Sequence, residues 1–82
     1  MIEVLYFAWL RERIGVPRER VETRAETVAG LVEELIAREE RYALAFADLA
    51  SVRVALDQEL ADFQAPLAGV REVAFFPPMT GG

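Results

Sequence analysis

Residues 2–8, Ile-Glu-Val-Leu-Tyr-Phe-Ala, are β-branched and aromatic with no breaker, which predicts a strand. A period of two puts Ile2, Val4, Tyr6 and Ala8 on one face and Glu3, Leu5 and Phe7 on the other, and Glu3 marks that second face as solvent-accessible. Trp9 to Ile14 is a short amphipathic stretch that predicts a helical turn or two, with Gly15 placed to cap it and Pro17 barring its continuation. Residues 19–24, Glu-Arg-Val-Glu-Thr-Arg, carry charge along one side, and Val21 and Thr23 are the positions expected to face a core. This suits an edge strand, where charge discourages pairing with other chains, lying antiparallel to the first strand.

Val28, Leu31, Val32, Leu35 and Ile36 recur at i, i+3, i+4, i+7 and i+8, the apolar stripe of an α-helix. Thr27 is positioned as its N-cap, Glu34 and Arg38 are spaced for an i,i+4 pair on its outer side, and Gly30 permits close packing, expected on a sheet. Residues 42–49 are apolar but irregular and are read as a helical turn or packed loop. A third strand is expected over 51–56 with Val52, Val54 and Leu56 inward, a turn at Asp57-Gln58, and a short return strand at Glu59-Leu60-Ala61. After the breakers Pro66 and Gly69, Val70 to Phe76 form the last strand, with Val73 and Phe75 on one face and Glu72, Ala74 and Phe76 on the other.

The order β-β-α-β-β-β places one main helix on one face of a small mixed sheet of four to five strands, an α+β class with the β-grasp, or ubiquitin-like, arrangement. The first and last strands are the most hydrophobic and belong at its centre. With 82 residues there is room for one core, so residues 1–76 read as a single domain and 77–82 as an extended C-terminal tail.

Composition narrows the chemistry. Cys and His are both absent, so disulfides, Cys- or His-ligated zinc and Cys or His catalysis have no residues to use. Nine arginines and no lysine face fourteen acids, giving a net charge of −5 that disfavours sequence-independent nucleic-acid binding. No apolar run of the ~18 residues needed for a membrane span is present, and the start of the chain lacks the basic region of a secretory signal, so a soluble, cytoplasmic protein is expected. The glutamates of the helix (Glu33, Glu34, Glu39, Glu40) are read as a solvated face, and no metal site is expected.

The last six residues, Pro77-Pro78-Met79-Thr80-Gly81-Gly82, carry the sharpest signal. Two prolines hold the backbone near polyproline II and cannot join a ladder, so they lead the chain away from the sheet. Six residues at ~3.1 Å each reach about 19 Å. Two terminal glycines, lacking Cβ atoms, can thread a narrow channel and take backbone angles closed to other residues, which an enzyme activating a terminal carboxylate requires. Residues 77–82 are therefore expected to be extended and poorly ordered without a partner. On the outward face, Phe7 and Phe76, with Leu60 bordering them, are either an exposed partner patch or a surface covered by loop 42–49 or 61–69.

The segment Glu72-Val-Ala-Phe-Phe-Pro-Pro-Met-Thr-Gly-Gly82 closely resembles the end of the small subunits of molybdopterin synthase, a family of ubiquitin-like sulfur carriers. The resemblance extends to Val4–Ala8, Thr27-Val28 with Leu31, Glu40–Ala45 and Val54–Gln58, so it spans essentially the whole chain. Asp57 stands where the family commonly has Asn, and Val70-Arg71 where an acidic turn residue is common. The resemblance implies that the Gly82 carboxylate is adenylated by an E1-like enzyme using ATP and converted to a thiocarboxylate. Pro77, Pro78, Met79, Thr80 and Gly81 then enter the active site of the large synthase subunit, and Gly82 donates sulfur to a cyclic pyranopterin monophosphate in molybdenum cofactor biosynthesis. It further implies that this chain is the non-catalytic sulfur donor of a hetero-oligomer, binds no cofactor itself, and meets its partners through Phe7, Leu60 and Phe76. The alternatives are a sulfur carrier for thiamine or tRNA thiolation, a ubiquitin-like modifier joined to proteins through Gly82, and an interaction module with an inert tail.

Overall fold

The computed structural model describes residues 1–78. Its elements are β1 (Ile2–Tyr6), α1 (Trp9–Ile14), β2 (Arg18–Val21), α2 (Val28–Arg38), α3 (Glu40–Ala45), β3 (Arg53–Leu56), β4 (Glu59–Ala61) and β5 (Glu72–Phe76), with a 3₁₀ turn at Leu49–Ser51. The strands form one sheet in the order β2-β1-β5-β3-β4. β1 and β5 run parallel, with Val4 opposite Val73 and Tyr6 opposite Phe75; the pairs β1–β2, β3–β5 and β3–β4 are antiparallel. The two most apolar strands thus hold interior positions, as their composition requires.

All three helices contribute buried residues to a single core with the inner face of the sheet. Ile2, Val4 and Tyr6 of β1, Val54 of β3 and Val73 and Phe75 of β5 face Val28, Leu31, Val32 and Leu35 of α2, and all of them are buried. Phe75 stacks on Tyr6 at 6.2 Å between ring centroids and receives the edge of Phe46 at 5.0 Å. The irregular stretch 42–49 begins in α3 and sends Tyr42, Ala45 and Phe46 into the core, while Leu44 and residues 47–49 are exposed. Thr27 caps α2, its hydroxyl accepting from the Gly30 N–H at 3.2 Å.

Several expectations change. β1 ends at Tyr6, and Ala8 is exposed instead of sharing the core face, because the chain leaves the sheet there with φ 54° to enter α1. β2 ends at Val21, so Thr23 lies beyond the strand and its hydroxyl donates to Glu34. Glu34 also accepts from the Arg24 N–H at 3.2 Å and forms no ion pair with Arg38. Gly30 meets the incoming loop rather than the sheet: a Cβ there would stand 3.1 Å from the Cβ of Ala25. β5 begins at Glu72, leaving Val70 half-buried outside the strand, and Ile36 and Leu56 are also half-buried at the edge of the core. The expected extended tail bears mostly on Met79–Gly82, which lie outside the described residues; Pro77 and Pro78 follow β5 in no regular element and are half-buried.

Glu19 is the largest departure. It shares the inward parity of Val21 and sits opposite Val4, so it points toward the core from an edge strand. Its Oε2 accepts from the hydroxyls of both Tyr6 (2.7 Å) and Tyr42 (2.6 Å). Arg41 closes the cluster, donating to the Ile14 carbonyl at 2.6 Å and to the Tyr42 oxygen at 3.2 Å while pairing with Glu39. One carboxylate thereby satisfies two buried phenols and ties α3 to the sheet.

Glu19→Ala should remove the acceptor of both hydroxyls and lower the unfolding free energy by about 1–3 kcal/mol in urea titration, with Tyr42→Phe in that background restoring part of it. Burial, reinforced by the bond to Glu19, raises Tyr6 far above an ordinary phenol and pushes Tyr42 up to about 12. Both folded values exceed the unfolded one, so this stabilisation is complete below about pH 10 and is lost as pH rises through the folded values. A tyrosinate titration in which half the phenol ionises at its ordinary value while the fold stays intact would contradict this arrangement.

Candidate functional site

Four strands bring apolar side chains to the outward face of the sheet. Leu60 of β4 lies opposite Ala55 of β3, Ala55 opposite Ala74 of β5, and Ala74 opposite Leu5 of β1. This row crosses the sheet with two alanines as a low floor; Ala74 is 8% exposed and Leu60 80%. Phe76 lies one step further along β5, opposite Arg53, and Phe7 is one residue past Tyr6, its N–H donating to the Phe75 carbonyl at 3.1 Å. Phe7 is 45% exposed and Phe76 half-buried. The register therefore sets Phe7 and Phe76 side by side where the chain leaves the sheet. Leu60 shares their face but lies in the neighbouring row, two strands from β5. Toward the other end the face is charged: Glu72 neighbours Glu3, which pairs with Arg18 and Arg20. The bond from Arg18 holds the Glu3 carboxyl below the usual range.

Neither candidate cover lies on this face. α3 packs within the core, and the 61–69 segment caps the start of α2: the Ala65 and Phe63 carbonyls accept from the N–H groups of Val28 (3.1 Å) and Ala29 (2.7 Å), and Leu67 is buried. The start of β5 is anchored from an unexpected quarter. Asp57 and Gln58 both have positive φ (49° and 71°), the requirement of a tight type I′ hairpin. Asp57 Oδ1 also accepts from the N–H groups of Arg71 (3.1 Å) and Glu72 (2.9 Å), while its own N–H donates to the Glu72 carbonyl at 2.9 Å. Read from sequence, Asp57 was only a turn residue; the turn chemistry was legible, but its reach to residues fourteen and fifteen positions on was not.

Among the described residues no three or more acidic side chains converge as a metal site, and no helix is long and apolar enough to cross a membrane. Arg13 lies over the Trp9 ring at 4.7 Å, which gives it a packing role. What remains is a surface and a chain end: an uncovered apolar face whose central strand runs directly into the Pro-Pro tail.

A five-stranded sheet of order β2-β1-β5-β3-β4, parallel at β1–β5 and with its main helix across one face, is a β-grasp, ubiquitin-like domain. The chain belongs to the ThiS family, whose profile matches residues 4–82. Over all 82 residues it is 43% identical to the molybdopterin synthase sulfur carrier subunit of Escherichia coli (strain K12), and the alignment covers the whole of both proteins. The corresponding Haemophilus influenzae subunit is 37% identical, again over the full length of both. The crystal structure of SAMP1 from Haloferax volcanii superposes with a TM-score of 0.73 at 25% identity, covering 99% of this chain and 98% of that one.

Asp57→Ala removes two hydrogen bonds to the start of β5 and places alanine at a left-handed angle, so a loss of about 1–2 kcal/mol in chemical denaturation is expected. Asp57→Asn keeps the acceptor oxygen and tolerates the angle, and should stay near the parent.

Proposed function

We propose that this chain is the sulfur-carrier small subunit of a molybdopterin synthase, acting in the cytoplasm. The observation that carries the reading is identity with such subunits over their whole length, with the family match running through Gly82. The fold supports it: the tail leaves from the central strand β5, beside Phe7 and Phe76 on an uncovered face. A partner gripping that face receives the tail in a fixed direction. The chain supplies the Gly82 carboxylate; an E1-like partner adenylates it with ATP, and sulfur replaces one carboxylate oxygen to give the thiocarboxylate. Pro77 to Gly81 then carry it into the active site of the large subunit, where sulfur passes to the cyclic pyranopterin monophosphate.

Intact mass of the chain isolated with its activating enzyme should show one oxygen exchanged for sulfur. Ladders of this chain on other proteins would support a modifier instead, and an unchanged mass an inert tail. Deleting Gly82 should abolish sulfur transfer without lowering thermal stability. A residue spans about 3.3–3.6 Å and reacting atoms must approach to about 3–3.5 Å, so one missing residue consumes the whole tolerance. The shortened chain should still bind the large subunit and compete with the intact carrier; normal pterin conversion by it would refute Gly82 as the chemical site.

Phe76→Asp should weaken binding to the large subunit by about 2 kcal/mol or more while the domain stays folded, as expected for a desolvated aromatic anchor. Unchanged affinity in titration calorimetry would remove Phe76 from the interface.

A further inference from the structure

Among the described residues, three that are not glycine have positive φ: Asp57, Gln58 and Ala8. Asp57 and Gln58 form the β3–β4 hairpin turn, which requires it. Ala8 is different. Its φ of 54° and ψ of −131° are those of the first central residue of a type II′ turn. Glycine dominates that position because a Cβ crowds the backbone there. Glycine is what the chain uses at Gly15 (φ 96°) and Gly69 (φ 77°). Packing does not account for the alanine: Ala8 is exposed, so its methyl group buries little against the domain. An alanine restricts the unfolded chain more than a glycine does, but the strain of a sparsely populated conformation is the larger effect.

The consequence of the turn falls on Phe7. The Phe7 N–H donates to the Phe75 carbonyl at 3.1 Å, which holds residue 7 to the sheet. The Phe7 carbonyl accepts from the Leu10 N–H at 3.2 Å, which closes the turn, and the Ala8 carbonyl accepts from the Glu12 N–H at 3.3 Å. Beyond the turn the chain is fixed, since Leu10 is fully buried and Trp9 packs against the core with Arg13 over its ring. Ala8 is therefore the joint between sheet and helix. A residue with a Cβ has a narrow allowed region at positive φ, whereas glycine has a broad one. Phe7 is 45% exposed on an uncovered face, so the direction of its ring depends on the backbone beneath it.

We propose that Ala8 is a positioning residue for recognition: its Cβ, held at a strained turn, confines the backbone of Phe7 so that the exposed ring stands beside Phe76 before a protein partner arrives. The proposal rests on the sulfur-carrier reading, in which the large synthase subunit grips this face. A ring already fixed does not have to be ordered on binding, and ordering one such side chain weakens affinity about three- to tenfold.

The test uses the full chain in five forms: the parent, Ala8→Gly, Ala8→Ser, Phe7→Ala and the double variant Phe7→Ala/Ala8→Gly. In the free protein, Ala8→Gly should speed amide hydrogen exchange at Phe7 and Leu10, the two donors around the turn, and leave β5 unchanged. Its melting temperature should equal or exceed the parent's. Trp9 is the only tryptophan, so an unchanged emission maximum shows that α1 is still docked. Against the large subunit, titration calorimetry should show Ala8→Gly binding about three- to tenfold more weakly. Ala8→Ser, which keeps the Cβ, should match the parent in exchange and in affinity. Adding Ala8→Gly to Phe7→Ala should cost nothing further, because Ala8 acts through the Phe7 ring. Weaker binding with undiminished thermal stability is a split that general damage to the fold does not produce.

Unchanged exchange at Phe7 and Leu10 in Ala8→Gly would overturn the proposal, whatever the partner does. So would parental affinity of Ala8→Gly, or a loss that persists in full in the Phe7→Ala background, which would mean that the partner touches the Ala8 methyl itself. Parental affinity of Phe7→Ala would also overturn it, and each of these results leaves the carrier reading standing. A parent chain that does not bind the large subunit would refute the carrier reading, and the recognition role of Ala8 with it.

Discussion

The parallel pairing of β1 with β5 is the constraint on which the rest of the structure depends. It joins segments separated by most of the chain, and a parallel neighbour cannot be reached by a tight turn, so the intervening residues must form a crossover. Here that crossover contains α2 and α3, which cover the inner face. The pairing stacks Val4 beside Val73 and Tyr6 beside Phe75 under the helices. It also turns Phe7 and Phe76 outward together and brings the last strand to the middle of the sheet, from which the tail departs.

The inner face tolerates one charge because every group around it is partnered. Glu19 enters from the edge strand and accepts from two tyrosines buried at 1% exposure, and no buried side-chain polar atom lacks a partner among the described residues. Buried phenols left unbonded would each cost about 1–3 kcal/mol, a large fraction of the stability of a domain this small. The outer face differs: salt bridges lie at its charged end, two alanines in its middle row and bare apolar side chains at the tail end. A packed core and an uncovered apolar face thus occupy opposite sides of one sheet.

The described residues bring together no catalytic constellation; what they position is a direction and a surface. Asp57 fixes where β5 begins, and the ladder fixes where it ends. The fold contributes a rigid root to the segment that follows β5.

The sequence by itself determined the element types and their faces: the stripe of α2, the alternation of β1 and β5, the Thr27 cap and the turn at Asp57-Gln58 are local patterns with local causes. It also singled out 77–82 as an expected tail, since Pro-Pro and Gly-Gly act through backbone properties that need no neighbours. Period two already placed Glu19 with Val21, but the charge of Glu19 argued for solvent, and only the approach of Tyr6 and Tyr42 made the inward position favourable. The anchoring of β5 by Asp57, the seating of Tyr42, Ala45 and Phe46 in the core and of 61–69 on the end of α2, and the row from Leu60 to Leu5 were decided by the tertiary structure alone. Each depends on which strands become neighbours and in what register, a choice set by long-range burial that no window of sequence contains.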